Sequence, residues 1–212
     1  MSHRYGHYAN EWDGEDAEHQ ARAEKYQMSE MEWKTLRSEL LFSDRWFRVR
    51  KDVCQRPDGK LVDPYYVYEF PEWVTAVALT ADGRFIFERQ SRHAIGLTQF
   101  EIPGGCIDPE DSDPRAAVAR ELLEETGYEF ADIRYLGRTS ANPSTHSNWM
   151  HFFLATGGVL TSQQQLDENE EIEVHLFTLD EVKSMLRRNE IIQSMHCTAL
   201  FYALEALGEF RL

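Results

Sequence analysis

Cysteine is scarce in this chain: of 212 residues only Cys54, Cys106 and Cys197 are cysteines, and no two of them form a C-x-x-C pair. That argues against a disulfide-built scaffold and against a cysteine zinc site, and it suits a reducing, cytoplasmic setting. Long hydrophobic runs are missing as well. No stretch approaches the roughly 20 apolar residues of a membrane span, and no apolar signal core opens the chain, so no membrane partner is expected. Positive charge is also short, with 22 Lys and Arg against 37 Asp and Glu and a net charge of −15. Nucleic-acid backbones are gripped by Lys and Arg patches, so no nucleic-acid partner is expected. Internal repeats and low-complexity tracts are absent. What remains is an ordinary globular composition, 42% apolar and 12% aromatic, in a chain long enough for a sizeable core.

The chain is organised around the stretch from Gly104 to Tyr128, GGCIDPEDSDPRAAVARELLEETGY. Asp113 followed by Pro114 is a helix start, because Asp caps free N–H groups and proline suits the first helical position. Gly127 is the matching stop, a residue that tolerates the left-handed C′ conformation. The spacing therefore predicts a helix up to about Thr126. At about 100° per residue, Glu121, Glu124 and Glu125 share one arc, and Ala116, Ala119, Leu122 and Leu123 share the opposite arc, suited to packing on a sheet. Three neighbouring anions repel one another, and a hard divalent cation resolves the conflict. The alternative is a solvated acidic face. The glycine turn, the proline and the terminal glycine together favour the cation.

These residues resemble the Nudix box, Gly-x5-Glu-x7-Arg-Glu-U-x-Glu-Glu-x-Gly-U, where U is a bulky apolar residue. Gly105, Arg120, Glu121, Leu122, Glu124, Glu125, Gly127 and Tyr128 match it. The first glutamate falls in a loop with one extra residue near Ser112, so either Glu110 or Asp111 takes its place. The resemblance implies an α/β fold, the Nudix-type α/β/α sandwich with a mixed sheet plus a small N-terminal antiparallel sheet. It also implies Mg²⁺ or Mn²⁺ held by Glu121, Glu124, Glu125 and the Gly104 carbonyl, with Arg120 bracing the box loop through Glu110 or Asp111.

Before the box, residues 1–40 read as a polar, acidic arm. Within it Glu15 to Lys34 has helical composition, and both a frayed arm and a helix on a partner subunit stay open. The domain is expected over 41–212, with an N-terminal hairpin over 41–70 and the core over 71–212. Arg56-Pro57-Asp58-Gly59 marks the turn of the hairpin, whose second strand is Val62 to Phe70. The hairpin resembles the small sheet of the ADP-ribose pyrophosphatase branch, which implies a homodimer and a role for aromatics such as Tyr65, Tyr66 and Tyr68 near adenine; plain cross-strand packing is the alternative. Next comes a hairpin of Val74–Thr80 and Phe85–Gln90 with an Asp82-Gly83 turn. Arg89-Gln90-Ser91-Arg92 and Glu101-Ile102-Pro103-Gly104 are similar to the family's segment before the box. By that match Arg92 holds a substrate phosphate and Glu101 faces the site; an Arg92–Glu101 ion pair is the competing reading.

After the box, Ile133 to Ser140 reads as a strand. Pro143 resembles the proline that marks the ADP-ribose branch, although Ser144 stands where that branch usually has glycine. Trp149 to Ala155 reads as a buried strand ended by Gly157-Gly158, with His151 a core histidine and no ligand. The acidic loop from Leu166 to Glu171 resembles the family loop that carries a catalytic carboxylate, which matches Glu170, with Glu168 the second choice. Asp180 to Arg188 and Ser194 to Leu207 read as packing helices.

The reading is a metal-dependent pyrophosphohydrolase. Its expected substrate is a small nucleoside diphosphate joined to another moiety, ADP-ribose first, split into AMP and ribose 5-phosphate. Glu170, Glu125, Glu121 and Arg120 are the expected catalytic residues. Arg92, Glu101 and Pro143 are the expected substrate contacts. A nucleoside diphosphate sugar, a dinucleoside polyphosphate and NADH are alternative substrates. A sensor that binds nucleotide without cleaving it, and an interaction module built on the arm, are the alternatives outside catalysis.

Overall fold

The structure is a computed structural model that describes residues 31–209. The arm before residue 31, with its possible helix, lies outside the described residues. The chain divides into two compact units, one of 31–70 with Thr145–Ser147 and one of Pro71–Ser144 with 148–209.

The first unit is an antiparallel sheet in the order β1 (Lys34–Ser43), β2 (Arg48–Gln55) and β3 (Leu61–Glu69). Asp44 shapes the first turn by accepting the Trp46 and Phe47 N–H groups at 2.8 and 3.1 Å. Gly59, at φ 83°, closes the second, where the Arg56 N–H reaches the Lys60 carbonyl at 2.9 Å. The sheet begins at Lys34, inside the stretch read as an arm. Every residue of β1 is exposed, so it lacks the alternation of burial that makes a strand legible.

The second unit is a mixed sheet of seven strands with helices. Its elements are β4 (Trp73–Thr80), β5 (Phe85–Arg92), β6 (Leu97–Glu101), α1 (Pro114–Thr126), β7 (Tyr128–Glu129), β8 (Asp132–Thr139), β9 (Met150–Leu160), β10 (Ile172–Phe177), α2 (Leu179–Arg187) and α3 (Ser194–Ala206). Its path runs β10-β5-β4-β9-β7, with β6 on β5 and β8 on β9. β4 and β9 pair in parallel and the other ladders are antiparallel. Alternation divides the sheet into two faces. Val77, Phe85, Phe87, Phe152 and Leu154 pack with Val182, Met185, Ala199, Leu200, Ala203 and Leu204 of α2 and α3. The intervening Ala76, Ala78, Ile86, Phe153 and Ala155 are equally buried, and α1 contributes Ala117, Val118 and Leu122 to the core.

β9 does not stop at its glycines. Gly157 takes φ 71° at a bulge, and the strand continues to pair Leu160 with Tyr128. A Cβ on Gly158 would stand 2.6 Å from the Phe130 ring, so the glycines bend the strand beneath an aromatic side chain. His151 is buried as expected, with Nε2 2.7 Å from Glu72 and Nδ1 3.3 Å from the Tyr135 hydroxyl.

The helix α1 has the predicted ends. Asp113 accepts the Ala116 N–H at 2.8 Å, and Gly127 adopts φ 75° with its N–H on the Leu123 carbonyl at 2.9 Å. A Cβ on Gly127 would lie 2.3 Å from the Ser162 carbonyl oxygen. Gly127→Ala therefore combines a left-handed penalty with a backbone clash, and it is expected to cost about 3 kcal/mol, read as a lowered midpoint in urea unfolding.

Candidate active site

The site begins where β4 and β5 part. They pair only at Ala78–Ile86 and Leu79–Phe85; beyond that point β5 pairs with β6, bringing Glu88 opposite Glu101. The vacated edge of β4 takes the loop after β6 instead. The Ala76 N–H reaches the Pro103 carbonyl at 3.0 Å and the Val74 N–H reaches the Gly105 carbonyl at 2.9 Å. Gly104 lies between these bonds, and its carbonyl is the one of the three that β4 does not use. A Cβ on Gly104 would meet the Val74 carbonyl oxygen at 2.2 Å, so only glycine allows this approach.

Against this loop lies α1. The Gly104 N–H donates to Glu125 Oε2 at 2.9 Å. The Glu121 carboxylate sits over Gly105, where a Cβ would be 2.4 Å from Oε1. The inward face of α1 differs from the expected one: Ala117, Val118, Leu122 and Glu125 are buried, while Ala119 is exposed and Ala116 and Leu123 are half-buried. Helical spacing gives the relative directions of side chains but not where the sheet lies, and Glu125 is accepted inside because a backbone N–H meets it. Glu124 lies nearer to solvent. Its carboxylate is 40% exposed and accepts from Arg120 at 3.0 Å. Glu121 Oε1 accepts from the same Arg120 Nη1 at 3.1 Å, so Glu121 and Glu124 lie side by side at one guanidinium nitrogen while Glu125 turns to the Gly104 N–H.

Arg120 decides between the two loop acids. Its Nε and Nη2 reach the two Asp111 oxygens at 3.1 and 2.8 Å, and Nη2 also reaches the Cys106 carbonyl at 3.1 Å. Asp111 also accepts the Asp108 N–H at 2.9 Å, and Glu110 is exposed. The Arg120 hydrogen bonds hold the Asp111 carboxyl below its usual range, and those same bonds raise the guanidinium. Asp111→Asn is therefore expected to lower turnover about tenfold, with Glu110→Gln near wild type, both measured as steady-state hydrolysis.

Arg92 and Glu101 do form their pair, with Arg92 Nε 3.0 and 3.1 Å from the Glu101 oxygens. Glu101 is buried. Burial alone would raise its carboxyl, but the Arg92 hydrogen bonds, with further help from Gln99, bring it below the ordinary value. Arg92 is about half exposed, and its Nη1 has no partner among the described residues. Glu170 is half-buried and accepts the Asp167 N–H at 3.0 Å; its charge helps raise both Glu121 and Glu125. Glu168 is exposed, as is Pro143 in the loop between β8 and β9. No described contact joins Pro143 to the carboxylates.

Two buried groups escape sequence reading. Glu88 is 4% exposed, and burial pushes its carboxyl up to about 8. A charged residue inside the run Phe85-Ile86-Phe87-Glu88 was the available signal. His196 is buried on α3, and burial lowers its imidazole to about 4, against the pull of Glu101. Nothing in the helical pattern of α3 distinguishes it from a packing residue.

Burial likewise raises Glu121 to about 7 and Glu125 well above 4.5, the latter aided by Glu88. Acids shifted together in this way lack positive charge. Among the described residues no three His, Cys, Asp or Glu side chains form a ready-made cation cage. Mg²⁺ does not need one, since it commonly takes one or two carboxylates, keeps waters and bridges to substrate phosphates. The Glu88 Oε1, unpartnered among the described residues, the shifted acids and the Gly104 carbonyl, which β4 leaves free, fit a hard divalent cation.

Fold and site thus define a class, an α/β/α sandwich whose acidic helix docks on a glycine loop to gather carboxylates. The NUDIX domain pattern matches residues 70–195, and that of the nucleoside diphosphate sugar hydrolase N-terminal domain matches 33–68. The chain belongs to the NUDIX family and is a Nudix pyrophosphohydrolase. It is 28% identical over 176 residues to the ADP-ribose pyrophosphatase of Bacillus subtilis (strain 168), covering 82% of this chain and 94% of that one. It is 28% identical over 202 residues to the GDP-mannose pyrophosphatase of Citrobacter koseri, covering 79% and 97%. A crystal structure of an ADP compounds hydrolase superposes with a TM-score of 0.74 at 24% identity, covering 86% of this chain and all of that one, a likeness of fold. Enzymes of the family generally use divalent metal ions. No helix among the described residues is long and apolar enough to cross a membrane.

Proposed function

We propose that the protein hydrolyses the pyrophosphate of ADP-ribose to AMP and ribose 5-phosphate, using Mg²⁺ or Mn²⁺. The observation that carries this is the inward pair Glu121 and Glu125, set against the unused Gly104 carbonyl in a cluster short of positive charge. The B. subtilis relative supports the choice of substrate.

Glu121, Glu124, Glu125 and the Gly104 carbonyl would hold the cation, with Arg120 Nη1 shared between Glu121 and Glu124 beside it. When bound, the cation offsets the charge on the pyrophosphate oxygens and acidifies water. Glu170 takes the proton of the attacking water, as its half-buried carboxylate is already within electrostatic reach of Glu121 and Glu125. Water adds to one phosphorus, the P–O–P bridge breaks, and the bridging oxygen leaves on the other phosphate. Arg92, anchored by Glu101 through one edge, offers its free Nη1 to a phosphate oxygen. Arg120 fixes the loop through Asp111 and takes no part in proton transfer.

The first unit is proposed to build a homodimer. It exposes Leu36, Leu40, Leu41, Phe42 and Leu61, more apolar surface than a small sheet leaves in water without a partner.

A panel of ADP-ribose, GDP-mannose, NADH and a dinucleoside polyphosphate, assayed with Mg²⁺, tests the substrate. ADP-ribose is expected to give the highest kcat/KM, by at least tenfold. A higher value for GDP-mannose would move the assignment to a nucleoside diphosphate sugar.

A further inference from the structure

Glu88 has no part in the chemistry above, yet it lies at the centre of the cluster. It projects from β5 on the same face as Ile86, opposite Glu101 in register. Its carboxyl is within hydrogen-bonding reach of the Glu125 carboxyl, and it feels the charges of Glu101 and Glu121. Its Oε1 is fully buried with no hydrogen-bond partner among the described residues. The nearby guanidinium groups make no hydrogen bond to Glu88 among the described residues, although the Arg92 charge draws its carboxyl down. Arg92 holds Glu101 through Nε and Nη2, and Arg120 is spread over Asp111, Glu121, Glu124 and the Cys106 carbonyl. An acid buried without an ion partner or a full set of hydrogen bonds costs folding energy, and an apolar residue in its place would continue the run Phe85-Ile86-Phe87.

We propose that Glu88 is a further oxygen ligand of the divalent-cation site, reaching the cation from the sheet side while Glu121 and Glu125 reach it from α1. The orphaned Oε1 supplies the lone pairs, and the contact with Glu125 puts two carboxyl groups, one from the sheet and one from the helix, against the same ion. This rests on the metal-dependent reading of the site. It assigns to the strand before the box a ligand that the box alone does not contain. Hard cations favour such oxygen donors, and a carboxylate added to a site strengthens its hold.

The test is equilibrium binding of Mn²⁺ to the full chain without substrate, with free Mn²⁺ followed by its electron paramagnetic resonance signal. Wild type, Glu88→Gln and Glu125→Gln are compared. Glu88→Gln keeps the shape and a hydrogen bond to Glu125 but removes the anionic oxygen. The expected result is at least tenfold weaker Mn²⁺ binding with an unchanged circular dichroism spectrum. Wild-type affinity in Glu88→Gln together with weakened binding in Glu125→Gln would overturn the role of Glu88 and leave the metal site standing. Undiminished binding in both variants would sink the metal reading itself. Should Glu88→Gln fail to fold, Glu88→Asp keeps a carboxylate but withdraws it by one methylene: weaker Mn²⁺ binding at unchanged melting temperature supports the ligand role, and unchanged binding opposes it.

Discussion

Glu125→Gln is expected to lower turnover about 10³-fold while the protein stays folded. The loss follows from position. Glu125 is the most buried of the helix glutamates, at 6% exposure, and it is tied to the Gly104 N–H at 2.9 Å. The amide keeps the shape, its oxygen still accepts that N–H, and the buried charge disappears. Glu88 and Glu121 both push the Glu125 carboxyl upward, so removing its charge relieves repulsion in the metal-free protein. The variant should therefore melt higher than wild type in a chelating buffer near pH 8 and gain less from added Mg²⁺. Steady-state kinetics with thermal melts in EDTA and in Mg²⁺ reads both effects. A variant equally active with Mg²⁺ would separate Glu125 from catalysis.

The second large effect is a metal-free stability that falls with pH and that Mg²⁺ restores. Glu121 is raised to about 7 and Glu88 to about 8, with Glu125 raised as well. Above about pH 4.5 the unfolded chain releases protons that the folded protein keeps on these acids. Stability contributed by the protonated acids is therefore lost as pH rises from there through the folded values. His196 works in the opposite sense, because its imidazole is lowered to about 4; the unfolded chain binds that proton up to about pH 6.5, and stability rises over the interval. The two trends oppose each other below pH 6.5, and the fall stands alone from there to about pH 8. At about 1.4 kcal/mol per pH unit per group, the loss from Glu121 and Glu88 alone over that range is roughly 2–3 kcal/mol, a melting temperature lower by roughly 5–10 °C, and Glu125 adds to it. Millimolar Mg²⁺ replaces the missing protons with a cation and flattens the curve. Equal slopes with and without Mg²⁺ would contradict a cation site at these carboxyls.

Local signals were the legible ones. Asp113, Pro114 and Gly127 mark the ends of α1 because capping depends only on residues a few positions apart. The Asp82-Gly83 turn likewise marks the β4–β5 hairpin, and the split strand order behind it follows the expected mixed sheet. Signals that depend on distant partners were weaker. Choosing Asp111 over Glu110 needed the position of Arg120 across the loop. Glu124 shares its arc with Glu121 and Glu125, and Arg120 Nη1 binds both it and Glu121, a contact that spacing alone does not show. The inward face of α1 depended on where the Pro103–Gly105 loop joins β4. Strand β1 was hidden by its full exposure, and Glu88 by lying outside the box, at the point where the buried run Phe85-Ile86-Phe87 gives way to the polar Arg89-Gln90-Ser91-Arg92.

The most direct test is incubation of ADP-ribose with the wild-type enzyme and Mg²⁺ in H₂¹⁸O, with the products weighed by mass spectrometry. The expected products are AMP and ribose 5-phosphate in equal amounts, with one ¹⁸O in the phosphate of only one of them and no reaction in EDTA. ADP-ribose recovered intact from a protein that binds it would contradict hydrolysis at this site.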